Sequence, residues 1–402
     1  MDILRLLAVF AVIVITTRLK KPLWMALAGA SIVTGLVFGL PLETFFGSVW
    51  GAATSATTLT LLVVVYSLTF LQQLMEERKM LRRAETSMTK LLNNRRMSLA
   101  VTPVLIGLLP APGAVLMAAS VIEGSCSDYM SREDMAFVST FFRHVPESSL
   151  PTYTSVILAA AVSGLPMAPF LLCMIPFILL LMAVPYVIYL RRVPKETGMP
   201  PSQNRGRDLA EVLLALWPII LIIVLILGFQ LETLPATLIA LLALIFIGRY
   251  PMRATVAPMV KKAFHPTMLA STFFAMIFRE VLGATGAVGR LPALFENLPI
   301  PLFLVFAIIF FVGTVVGGLQ TMVTMIVPAA LAAFPTAQLP MLVLLMSTGH
   351  LASQLSPTHI CITLAAEYFH VGLGDIFKRT IPVAAIIFCI TVVYYLGLTL
   401  VL

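Results

Sequence analysis

The sequence predicts an all-α polytopic membrane protein, and three observations carry that prediction. Of 402 residues, 60% are hydrophobic and 11% charged. The mean hydropathy is +1.02, and apolar runs of membrane-spanning length recur from the first residues to the last. Those runs lack the alternation of barrel strands, and in lipid only helices and closed barrels satisfy their own backbone.

Taken in chain order, the opening stretch MDILRLLAVFAVIVITTRLKK ends in a basic turn without a small-residue cleavage site, so it reads as the first span rather than a signal peptide. Lys and Arg then cluster in short segments at 18–21, 72–97, 191–207, 249–262 and at Lys378 and Arg379. The positive-inside rule places all of these in the cytoplasm and both termini outside. Membrane orientation thus accounts for the net charge of +8 without a nucleic-acid partner. Cys126, Cys173, Cys361 and Cys389 are scattered without CxxC spacing, which indicates neither a disulfide framework nor a zinc site; they read as packing residues.

If residues 98–125 crossed the membrane once, the basic segment 191–207 would fall outside. A re-entrant helical hairpin restores the parity, and GLLPAPGAV (107–115) supplies the prolines and glycine for its tip. Its counterpart, 301–334, carries VGGLQTM (316–322) in its middle. A shift of 206 residues aligns PTYTSVILAA (151–160) with PTHICITLAA (357–366), His144 with His350 and Gly107 with Gly313. Each half then holds three spans, a hairpin, an interrupted span and a last span. Five crossings is an odd number, so residues 204–402 are expected to repeat 1–203 in inverted orientation, giving about ten spanning helices, two hairpins and two interrupted helices. Ordinary helices kinked by their glycines and prolines are the alternative.

The interrupted helices are expected at 135–165 and 339–371, where a proline follows a histidine by seven residues. Proline frees backbone carbonyls at mid-depth, which is costly in hydrocarbon unless the segment lines a cavity. Half-helices starting near Pro151 and Pro357 would point positive ends into that cavity. Arg143, His144, His350 and His359 are candidate substrate ligands there. Ser148, Ser149, Thr152, Ser353, Gln354, Ser356 and Thr358 are candidates to coordinate a coupling ion. Glu147 is either a proton carrier or the permanent partner of Arg143 four residues earlier. Arg279 and Glu280, which the offset places opposite Gln73 and Leu74, read as membrane-boundary residues, as do Glu367 and His370; His265 reads as a helix-entry residue.

Within this layout, LLPAPG (108–113), HVPESSLPT (144–152) and HLASQLSPTH (350–359) resemble the ion-transporter superfamily. That superfamily includes divalent-anion/sodium symporters, gluconate permeases and citrate carriers; within it the chain looks like a prokaryotic integral-membrane family of unknown function. The resemblance covers nearly the whole chain as architecture. It implies that hairpin tips at 110–113 and 317–321 enclose substrate and ion, with Pro112, Gly113, Gly318, Gln320 and Thr321 as substrate contacts. It also implies a homodimer and an elevator-like cycle. PAPG and GGLQT stand where the divalent-anion symporters carry Ser-Asn-Thr.

The expected function is a secondary active transporter of a small carboxylate-type anion in the cytoplasmic membrane of a prokaryote. It would be coupled to protons or sodium, with no other cofactor and no metal site. A passive channel, an intramembrane enzyme and a membrane assembly partner remain alternatives. HExxH and GxSxG are both absent, which weakens the enzyme reading.

Overall fold

The computed structural model describes residues 2–19, 21–108, 114–197, 202–287, 299–357 and 359–402. Among these, nineteen α-helices and no strands occur. The first ten are α1 (Asp2–Arg18), α2 (Leu23–Phe38), α3 (Leu42–Thr54), α4 (Ala56–Glu77), α5 (Met80–Leu92), α6 (Arg95–Gly107), α7 (Ala114–Cys126), α8 (Arg132–Arg143), α9 (Thr154–Ser163) and α10 (Met167–Ile188). The remainder are α11 (Arg205–Phe229), α12 (Thr233–Ile247), α13 (Ala257–Lys262), α14 (Pro266–Ala284), α15 (Leu302–Gly317), α16 (Leu319–Ala333), α17 (Gln338–Ser353), α18 (Ile360–Phe369) and α19 (Leu373–Val401). Five of these, α4, α10, α11, α14 and α19, are long and apolar enough to cross a membrane. The chain is a multi-pass, all-helical membrane protein.

Local chemistry sets the helix ends. Ser55, Asn94, Ser131 and Asn204 cap α4, α6, α8 and α11 by accepting a backbone N–H in the first turn. Gly39 closes α2 in the left-handed region at φ 67°. The basic segment 72–97 is mostly helix: it holds the end of α4, all of α5 and the start of α6. On α5, Met80 and Ala84 are buried four residues apart while Arg82 and Arg83 are exposed, a helical period that the density of charges conceals. α5 packs on α11 and α6, and Arg83 pairs with Glu211 of α11 at 2.7 Å.

Helix bounds recur at the offset read from the sequence. Thr154–Ser163 shifted by 206 residues coincides with Ile360–Phe369, and the start of Met167–Ile188 with that of Leu373–Val401. The contacts are reciprocal too: α2 packs on α14 and α12 on α4, α9 on α16 and α18 on α7, α10 on α17 and α19 on α8. Tyr189 donates to the Arg379 carbonyl at 3.1 Å and Tyr394 to the Cys173 carbonyl at 2.9 Å, and these two acceptors stand at corresponding positions. Pro176 and Pro382 lie inside the last helix of each half at the same register. Gly164 and His370 end α9 and α18 in the left-handed region.

Each half contains a pair of short helices folded against each other, α6 on α7 and α15 on α16. Gly318 alone turns the second pair, at φ 84°, a conformation that disfavours any side chain. Gly107, at the end of α6, lies against the end of α8: a Cβ there would stand 1.9 Å from the Arg143 carbonyl oxygen, and backbone cannot step aside. At Gly313 the obstacle is the Met322 thioether at 2.1 Å, which can rotate away. Gly107→Ala is therefore expected to destabilise the protein by about 1–3 kcal/mol. Gly47→Ala, with nothing within 4 Å, should be neutral or stabilising by roughly half a kcal/mol. Thermal unfolding in detergent distinguishes the two, and equal melting temperatures for both variants would refute the close packing at Gly107.

Candidate functional site

The two interrupted helices are unequal. α8 ends at Arg143, a 3-10 turn follows at Val145–Ser148, and the helix resumes as α9 at Thr154. In the second half the break runs only from Gln354 to the start of α18 at Ile360. The first break holds Pro146 and Pro151, the second Pro357 alone, so more amide donors are missing from the first. Hydroxyls at the breaks bond back to nearby backbone: Ser148 Oγ donates to the Val145 carbonyl and Ser353 Oγ to the His350 carbonyl, which also accepts the Gln354 N–H, both hydroxyl bonds at 2.7 Å. Each break is also tied to the helix pair of its own half. Tyr153 Oη donates to the Gly107 carbonyl, and Ser356 Oγ to the Val315 carbonyl at 2.7 Å.

A cavity of about 900 Å³ opens where the breaks meet. Arg143, Glu147 and Thr152 line it from the first break, Ser353, Ser356 and His359 from the second, and Gly318 and Gln320 from the hairpin turn. The first turns of α9 and α18 reach it through Thr154, Ser155, Ile360 and Cys361. Neither helix start has a side-chain cap, so both positive ends face the cavity with amide donors uncommitted to a cap.

His144, Ser148, Ser149, Thr321, His350 and Gln354 are buried outside the cavity lining. Thr321 Oγ1 donates back to the Gly317 carbonyl at 2.8 Å. His350 stands edge-on to Phe177, ring centroids 5.8 Å apart, and neither ring nitrogen has a hydrogen-bond partner among the described residues. Pro112, Gly113 and Thr358 lie outside the described residues.

Around the first break the polar groups cluster tightly. Arg143 Nη1 donates to Cys361 Sγ at 3.7 Å. His144 Nδ1 lies 2.6 Å from the Thr140 carbonyl, and its Nε2 is 3.9 Å from Glu147 Oε2. The His144 and His359 rings meet edge-on with centroids 4.6 Å apart. Position 349, the counterpart of Arg143, is a glycine for a packing reason: a Cβ there would be 2.5 Å from both the Phe310 and Leu319 side chains. An arginine has room in one half only.

Several lining residues were not anticipated. Cys361, read as packing, belongs to the wall; its spacing from His359, His-x-Cys, was the available signal. Gln73, expected at a membrane boundary, is buried and lines the cavity with Gln72 and Glu76 of α4. Adjacent glutamines near the end of an apolar span were the hint. His265, read as helix entry, reaches the same wall.

A family model described as a protein of unknown function, DUF401, matches residues 3–398. No curated protein sequence matches significantly. Among solved structures, the chain is similar to the YdaH transporter of Alcanivorax borkumensis, whose crystal structure is described as revealing an unusual topology. The likeness covers 89% of this chain and 88% of that one, with a TM-score of 0.58 and 14% identity, and it shows a shared fold.

Tyr153→Phe removes the buried donor to the Gly107 carbonyl and should cost about 1–3 kcal/mol through the orphaned acceptor. Tyr66→Phe, which loses a solvent-accessible bond to Val260, should cost less than about 1 kcal/mol. Paired melting curves check this, and an unchanged melting temperature in Tyr153→Phe would contradict the tie.

Proposed function

The chain belongs to the DUF401 family of proteins of unknown function, and from that premise we propose that it is a secondary active transporter of a small organic anion. One observation carries the reading: two broken helices and a hairpin turn converge on a single cavity within the helical bundle. Unwound backbone in lipid is tolerated where it lines a cavity or is buried in protein, and transporters place their binding sites at such breaks. The fold shared with a protein described as a transporter supports it.

In this proposal the two halves form an inverted repeat, supported by the coincident helix bounds and reciprocal contacts, and the two helix pairs are re-entrant hairpins in the manner of the ion-transporter superfamily. The anion is held by Arg143 and His359 and by the amide ends of α9 and α18, all of which border the cavity. Gln320 and the hydroxyls of Thr152, Ser353 and Ser356 complete its shell or that of a coupling sodium ion. Glu147, on the same wall, balances charge when the site empties or carries the coupling proton. Alternating access requires binding to differ in strength between inward- and outward-facing states. An elevator-like movement of the hairpins and broken helices against α1–α4 and α11–α14, in a homodimer in a prokaryotic cytoplasmic membrane, would provide it.

The test is uptake of radiolabelled carboxylates and sugar acids into proteoliposomes, with imposed sodium or proton gradients. Accumulation above the external concentration is expected under one gradient. Arg143→Gln should raise the apparent KM by at least about tenfold, the cost of one charge-assisted contact. Equilibration without accumulation would favour a channel, and transport of neutral or cationic solutes alone would overturn the anion assignment.

A further inference from the structure

Three side chains around the breaks form a constellation that the transport reading does not use as such. The donor atoms of His144, His359 and Cys361 all lie within 4.8 Å of one another. His144 comes from the end of α8, His359 from the residue preceding α18 and Cys361 from its first turn. Ligands 215 and two residues apart in sequence are thus brought together only by the packing of α8 on α18.

We propose that His144, His359 and Cys361 bind one late first-row divalent ion of the zinc class, with the fourth coordination position open to the cavity. The donor chemistry is the first argument. Two imidazoles and a thiolate are the nitrogen and sulfur set that such ions prefer over magnesium or calcium, which demand oxygen. The second argument is the orientation of His144. Its Nδ1 lies 2.6 Å from the Thr140 carbonyl, which holds the proton on that nitrogen and leaves Nε2 as the ring nitrogen with a lone pair for a ligand. That Nε2 is buried with no hydrogen-bond partner among the described residues, and a ligand there would satisfy it.

The spacing is workable. Tetrahedral ligation at about 2.0–2.3 Å places donors roughly 3.3–3.8 Å apart, so a spread of up to 4.8 Å closes with small side-chain rotations. Access is open as well, since His359 and Cys361 both line the cavity. Arg143, which donates to Cys361 Sγ, opposes a cation but stabilises a thiolate, and the Glu147 carboxylate 3.9 Å from His144 Nε2 offsets its charge. On binding, the Sγ–metal bond replaces the S–H bond and the proton leaves through the cavity. The open position would take water or the carboxylate of an anion held by Arg143. The site itself needs only the three side chains and stands whether or not an anion is carried.

The experiment titrates purified, detergent-solubilised full-length protein with Co²⁺ and then with Zn²⁺. One equivalent of Co²⁺ per chain should bind with a thiolate-to-cobalt charge-transfer absorption, and Zn²⁺ should displace it. Cys361→Ser should abolish the absorption, and His144→Ala and His359→Ala should each weaken Zn²⁺ binding by at least about tenfold. Cys389→Ser, an exposed cysteine, should change neither. In the wild-type protein, Zn²⁺ should protect Cys361 from maleimide labelling mapped by mass spectrometry, a readout that does not require any variant to fold. Absence of stoichiometric binding, a charge-transfer band that survives Cys361→Ser, or unprotected labelling of Cys361 at saturating Zn²⁺ would each overturn the site.

Discussion

The structure depends on how backbone that cannot be helical is kept out of lipid. At each break a proline withdraws an amide and carbonyls are released, groups that cost several kcal/mol when left unsatisfied in hydrocarbon. The answer in both halves is a neighbouring pair of short helices laid against the break and tied to it, by Tyr153 to Gly107 in one and Ser356 to Val315 in the other. The approach is close enough that Gly107 leaves no room for a Cβ beside the Arg143 carbonyl. The broken helices, the helix pairs and the cavity between them are therefore one unit, since removing any of the three exposes backbone of the others.

Near-symmetric construction makes the departures from symmetry informative. The Arg143 position is filled in the second half by Gly349, because Phe310 and Leu319 already occupy the space a side chain would need. The two paired histidines diverge in the same way. His144 is oriented by the Thr140 carbonyl and meets His359, whereas His350 rests against Phe177. Charge and donor groups accumulate on the first break while the second contributes helix-end amides, hydroxyls, His359 and Cys361. A cavity with Arg143 and Glu147 at one break, where the other has Gly349 and Ser353, can orient a ligand that a fully symmetric one would bind in two equivalent ways.

Much of the architecture was legible because its causes are local. Span-length apolar runs force helices in lipid, and the breaks fall where prolines at 146, 151 and 357 stand among hydroxyl, amide and histidine side chains, whereas Pro103, Pro176, Pro218, Pro328 and Pro382 lie within continuous helices. The 206-residue offset was readable from a few identical residues, and helix bounds fall at the same offset. The helix α5 escaped notice because its burial period rests on small and flexible residues, Met80 and Ala84, set among charges.

The sequence by itself determined that the chain is helical and which segments combine proline with polar residues inside apolar runs, because these follow from hydropathy and residue identity. Tertiary packing alone decided which polar groups share a cavity. It turned Gln73 inward, set Thr321 and His350 behind the wall, and brought Cys361 beside Arg143, His144 and His359. Which way a residue on a buried helix faces depends on what packs against that helix, and no pattern within one helix encodes its neighbour.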